Sequence, residues 1–163
     1  MSSYKPKIEA KRWDRSWERD LIADWENSGI YAFGGGDGPV YSIDTPPPYI
    51  NSPIHIGHAY TYVWMDAIAR YRRMKGYRVL FPLGLDRNGL PIEVQVEKEY
   101  RISPRNSSRE EFLNKCRELL DRYEGVTVDY FRRLGISFNS WRRSHEPGGL
   151  YETDDPEFRR LTQ

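Results

Sequence analysis

A chain of 163 residues has room for one domain of ordinary size, or for one domain with appendages. Its 38% apolar and 14% aromatic content excludes disorder throughout, and 25 Lys and Arg against 24 Asp and Glu exclude a dedicated polyanion binder, so any basic surface must be local. One cysteine, Cys116, excludes an internal disulfide framework. With no signal-peptide pattern and no apolar run near the ~18 residues of a membrane helix, the chain reads as soluble and cytoplasmic, with no membrane partner.

Residues 1–10 are polar. Trp13, Trp17, Leu21 and Trp25 then recur every fourth position in a charged background, which predicts an amphipathic helix with an aromatic packing stripe and Gly29 as its stop. Gly34-Gly35-Gly36-Asp37-Gly38 precedes a strand instead of following one, so it predicts a flexible linker and not a phosphate-cradling loop. Residues 40–44 alternate and are partly β-branched; they predict a strand closed by Pro46, Pro47 and Pro48.

From 56 to 75 the pattern is helical. Ala59, Tyr62, Val63, Ile68 and Ala69 supply an apolar face, Arg70, Arg72 and Arg73 suit the negative end of the helix dipole, and Gly76 caps it. Residues 78–83 read as a second, buried strand, so strand, helix and strand make a βαβ unit with a parallel pair. The loop 84–89 leaves the carboxyl end of that strand, where open α/β sheets hold ligands. Helices are predicted over 90–99 and 108–134, the longer one with an irregularity near Gly125 and with Cys116 on its apolar stripe. Beyond Gly135 the sequence turns irregular and basic through Arg142, Arg143 and His145.

The densest chemistry lies at His55-Ile56-Gly57-His58, directly after a stretch holding four prolines. A helix N-terminus offers unpaired N–H groups and a positive partial charge, and two imidazoles three residues apart can donate to the same anion. Gly57 between them lets a flat ring approach the backbone. A zinc site is the weaker reading, because two histidines need one or two further ligands, so no metal is predicted. Asp86, at a strand end, is a natural anchor for a cation or the start of an Asx turn before Asn88 and Gly89.

These residues resemble the class I aminoacyl-tRNA synthetases. His55-Ile56-Gly57-His58 matches their HIGH signature in its usual place after the first strand, and the match continues through Pro46-Pro47-Pro48, residues 66–71 (DAIARY), 74–77 (MKGY) and 84–93 (GLDRNGLPIE). Residues 11–33 are similar to the tryptophan-rich leading helix of the valine, isoleucine and leucine subgroup. The resemblance implies the first half of a Rossmann-like, doubly wound parallel sheet with an N-terminal helical extension. It divides the chain into an extension and glycine linker (1–38), the first half of the catalytic domain (39–145) and the start of a connection to an inserted editing domain (146–163).

The same resemblance implies ATP-dependent activation of an aliphatic amino acid to an adenylate, then acyl transfer to tRNA. ATP, with Mg2+, is a substrate, and there is no bound prosthetic group. His55 and His58 would stabilise charge growing on the phosphates, Gly57 would pack against adenine, Asp86 and the Pro46 carbonyl would hold the α-ammonium, and Tyr49 would line the amino-acid pocket. The basic pairs at 72–73, 132–133 and 142–143 read as solvated faces before they read as tRNA contacts.

Within the subgroup the motifs are most similar to the archaeal-type valine enzymes, while Tyr49 and Ile92 lean towards leucine and isoleucine. The 163 residues hold no lysine-rich KMSKS loop, so the expectation is an excerpt or one subunit of a split synthetase, with little adenylation activity alone. The alternatives are part of a leucine or isoleucine enzyme, or a nonenzymatic nucleotide- or tRNA-binding paralogue.

Overall fold

The computed structural model of the chain describes residues 10–34 and 36–141. Six elements follow in order: α1 (Trp17–Ser28), β1 (Val40–Ser42), α2 (Ile56–Met74), β2 (Arg78–Leu80), α3 (Leu90–Tyr100) and α4 (Arg109–Arg133). The expectations over 146–163 and at Arg142, Arg143 and His145 lie outside the described residues.

β1 and β2 pair in parallel with Tyr41 opposite Val79, and α2 is the crossover between them. The βαβ unit is therefore present, with strands of three residues each, shorter than the sequence predicts. Its turn is closed by a Schellman motif: Gly76, at φ +82°, lets its own N–H reach Arg73 O at 2.9 Å while Tyr77 N–H reaches Arg72 O at 3.1 Å. Gly38 is more than linker. A Cβ there would stand 2.1 Å from the Gly76 carbonyl oxygen, so only glycine lets the chain enter β1 against this turn.

The core joins α2, the strand region and the two C-terminal helices: Tyr62 and Ala69, Val79, Phe81 and Leu83, Ile92 and Val96, and Leu119 and Phe131 are all buried. Ile92 is part of this core, 3% exposed. On α2 the buried face is Tyr62, Asp66 and Ala69, whereas Val63 and Ile68 stay on the outside. The predicted apolar face was wider than the contact; only residues three and four apart face one neighbour, and Asp66 is admitted because it is paired. α4 runs unbroken through Gly125, since the packing of Leu119, Leu120, Thr127 and Phe131 on either side outweighs the ~1 kcal/mol a mid-helix glycine costs.

Two further departures from expectation lie near the two ends of the described residues. Trp13 is outside α1 and 63% exposed, and Trp17 is 38% exposed, so the four-residue stripe is not a single packing face. Steps of four advance about 40° round a helix of 3.6 residues per turn, which swings the stripe away from the body within three steps. Asp14 also delays the helix by accepting from Ser16 N–H at 2.9 Å and Ser16 Oγ at 2.8 Å. Trp25 remains packed, with Tyr31 at 5.7 Å and the Arg70 guanidinium 5.2 Å from its ring.

Beyond α4, residues 136–139, read as irregular, are all buried and run beside the end of β2. Asn139 N–H donates to Phe81 O at 3.0 Å, its side-chain amide donates to Val79 O at 2.9 Å and Tyr31 O at 2.7 Å, and Phe81 N–H donates to Asn139 Oδ1.

Candidate active site

The proline run continues the line of β1 past its end. Asp86 N–H donates to Pro48 O at 2.9 Å and Ile50 N–H to Asp86 O at 3.3 Å, so Tyr49 and Asp86 form a further parallel bridge. Prolines have no N–H to contribute, so this pairing uses the carbonyl of Pro48 and the amide of Ile50, two residues beyond the run. Tyr49 is 48% exposed, and its Cε1 would stand 3.9 Å from a Cβ on Gly89. Pro46, Tyr49 and Asp86 are thus on adjoining segments at the carboxyl end of the parallel pair.

Two details qualify the expected roles. The Pro46 carbonyl is not unclaimed: the buried Tyr62 hydroxyl donates to it at 2.7 Å, leaving one lone pair for a second donor. Burial pushes the Tyr62 phenol well above its usual pKa, so it stays a donor. Tyr62 was not singled out by sequence beyond its apolar face; it lies one turn after His58 and ties α2 to the proline segment. The Asp86 side chain forms the Asx turn, accepting from Asn88 N–H at 2.9 Å through Oδ1.

The histidines stand together at the start of α2. His55, in extended backbone at φ −108°, is the N-cap, and its Nδ1 accepts from Gly57 N–H at 3.0 Å; His58 Nδ1 accepts from His55 N–H at 3.3 Å. This is a capping box built from two imidazoles instead of a hydroxyl and a carboxylate. Their ring centroids are 4.1 Å apart. Because both Nδ1 atoms accept, each neutral ring must carry its proton on Nε2, and both remaining N–H groups project away from the backbone. The cap also consumes the Gly57 amide, so an anion here would meet ring N–H groups before that one.

Gly57 is required by this cap. A Cβ on it would stand 2.8 Å from His55 Cε1, so the flat ring lying against its backbone is His55's own.

Desolvation, and then repulsion from His55, hold the His58 imidazole below its usual pKa. Since the unfolded chain then protonates first, the stability from neutral His58 is complete above about pH 6.5 and is lost as pH falls below it. Urea unfolding at about pH 7.5 and about pH 5.5 should therefore show a smaller drop for His58→Gln, whose amide still accepts from His55 N–H. Equal drops in the two proteins would refute this.

The described arginine pairs, at 72–73 and 132–133, are engaged by the fold. Arg73 bonds the Ser137 side chain and carbonyl, Arg72 lies over Tyr41 and Tyr77, and Arg132 pairs with Glu26. Arg133 alone is weakly held, 3.9 Å from Asp129.

A family model described as tRNA synthetases class I (I, L, M and V) matches residues 20–146. Over 154 residues the chain is 49% identical to a valine–tRNA ligase of Pyrobaculum aerophilum, covering 93% of this chain and 18% of that one. Over 168 residues it is 42% identical to a valine–tRNA ligase of Aeropyrum pernix, covering 98% and 19%. The chain spans about a fifth of the length of the curated relatives it matches. In fold it is similar to a LeuRS of Agrobacterium radiobacter solved as a ternary complex with tRNA and LeuAMS, with a TM-score of 0.64 at 23% identity over 78% of this chain and 15% of that one. With the βαβ unit, the paired histidines at its helix start and these matches together, the chain belongs to the class I tRNA synthetases of the isoleucine, leucine, methionine and valine group.

Proposed function

We propose that this chain supplies the amino-acid anchor and half of the ATP grip of a synthetase that activates an aliphatic amino acid, valine ahead of leucine and isoleucine, and transfers it to tRNA. The observation that carries the reading is the reciprocal imidazole cap, which directs two Nε2–H donors out of one helix start. A carboxylate oxygen of the amino acid attacks the α-phosphorus of ATP, itself the Mg2+ complex as substrate. The new P–O bond forms as the bond to the bridging oxygen breaks, and pyrophosphate leaves. Negative charge grows on phosphate oxygens during this step, and His55 and His58 stabilise it by donating, without acting as bases.

Asp86 holds the α-ammonium, with the remaining lone pair of the Pro46 carbonyl as second acceptor, and Tyr49 lines the side-chain pocket. Gly57 admits the His55 ring that forms the cap, and adenine packs beside that capped turn. A hydroxyl at the tRNA 3′ end then attacks the acyl carbonyl and releases AMP. β1, α2 and β2 constitute the first half of a doubly wound, Rossmann-like sheet over residues 39–145, after an extension at 1–38 and before a connection at 146–163. The single buried thiol, Cys116, suits a reducing, cytoplasmic setting. Among the described residues no helix is long and apolar enough to cross a membrane.

Thermal melting of the chain with nonhydrolysable valyl-, isoleucyl- and leucyl-adenylate analogues tests the reading. The valyl analogue should raise the melting temperature most. No shift with any analogue would favour an interaction module, or show that binding needs the other half of the ATP grip.

A further inference from the structure

Arg87 adjoins Asp86 but serves another part of the molecule. Successive side chains of extended backbone point to opposite sides, and Arg87 reaches α4, where its guanidinium donates to Asp121 Oδ1 at 2.7 Å and pairs with Glu124 Oε2. The Arg87 side chain is 15% exposed and that of Glu124 5%, so the contact is largely out of water. The sheet-side end of the 84–89 loop is already held by the backbone bonds of Asp86 to Pro48 and Ile50. One residue on, Arg87 ties the loop to α4.

A buried ion pair is poor evidence for stability, because desolvation cancels much of the attraction; its better-attested use is to fix one arrangement over others. Here the arrangement has an electrostatic consequence. A guanidinium loose beside Asp86 would be a cation competing with any ammonium for that carboxylate. Two carboxylates on α4 outnumber it and draw it away.

We infer that Arg87, Asp121 and Glu124 form a clamp that positions the Asp86 carboxylate and withdraws a competing positive charge from it. The three are positioning residues, and the inference rests on the reading of Asp86 as the ammonium anchor. The clamp joins the loop to α4, so a change on α4 is felt at the amino-acid site.

The test uses the full 163-residue chain with two readouts. Amide hydrogen exchange follows residues 84–89 without ligand, and titration measures affinity for the valyl-adenylate analogue and for ATP. Glu124→Gln and Arg87→Met should each speed exchange in 84–89 about tenfold relative to α2; the analogue should weaken about tenfold in Glu124→Gln, which frees the guanidinium to turn towards Asp86, and by less in Arg87→Met, which removes it, with ATP affinity unchanged in both. Arg87→Lys, which keeps the charge, should recover part of both. If Glu124→Gln does not fold, Asp121→Asn, at a 65% exposed side chain, reports the same contact. Unchanged exchange in 84–89 in the clamp variants overturns the inference. Faster exchange with no analogue binding by the unaltered chain instead rejects the ammonium reading of Asp86 and leaves the loop clamp standing.

Discussion

Asp66→Ala is expected to destabilise the chain by about 3 kcal/mol, the largest loss from removing any single polar side chain described above. Asp66 sits 8% exposed on the inner face of α2. One carboxylate oxygen accepts from Ser137 N–H at 2.7 Å and from the Ser137 hydroxyl; the other accepts from Arg70 Nε at 2.7 Å. Arg70 continues the network to the Tyr31 hydroxyl at 2.7 Å and the Gly135 carbonyl. Alanine therefore leaves a buried amide, a hydroxyl and a guanidinium short of an acceptor together.

The cost lies at the lower end of the range for a broken buried pair because the Arg70 side chain is 34% exposed and can turn to water. About 3 kcal/mol corresponds to roughly 10 °C in melting temperature for a domain of this size. Asp129→Ala is the comparison: its pair with Arg133 is exposed on both sides at 3.9 Å, and its loss should cost under about 0.5 kcal/mol. Calorimetry on the two variants checks both values, and a similar melting temperature for them would show that the Asp66 network is not a tertiary tie.

Asp86→Asn should weaken binding of the valyl-adenylate analogue by about 10- to 100-fold, from the ~1.5–3 kcal/mol carried by a hydrogen bond to a charged group. Asparagine is the informative replacement. Its Oδ1 can still accept from Asn88 N–H, so the Asx turn survives while the charge goes. Alanine would remove both and mix loop disorder with lost attraction. Isothermal titration should show weaker affinity with an unchanged melting temperature for the free chain. Unaltered affinity would mean that Asp86 serves the turn alone, the reading its geometry otherwise satisfies.

The Asp86 pair of readings shows where sequence and structure part. An aspartate two residues before an asparagine and three before a glycine predicts an Asx turn from local bonding alone, and the turn is there. That Asp86 also lies beside Tyr49 depends on a strand register between segments nearly forty residues apart, which no local pattern encodes. The helix-start histidines behave differently. Their capping box involves only residues 55–58, so the chemistry of the motif and its local geometry arise together.

By itself the sequence determined the elements whose causes are local: the run of α2 and the Gly76 turn that ends it, the strand positions on either side, the proline stop and the imidazole pair at the helix start. Hydrophobic period, caps and fixed φ angles act within a few residues, so they can be read in order along the chain. Only the tertiary structure decided which face of α2 is buried, that Ser137 and Asn139 complete the polar core beside β2, that Tyr62 takes one lone pair of the Pro46 carbonyl, and that Arg87 turns from Asp86 to α4. Each of these is a choice of partner for a group that must be paired once out of water, and the partner is set by which distant segment packs there.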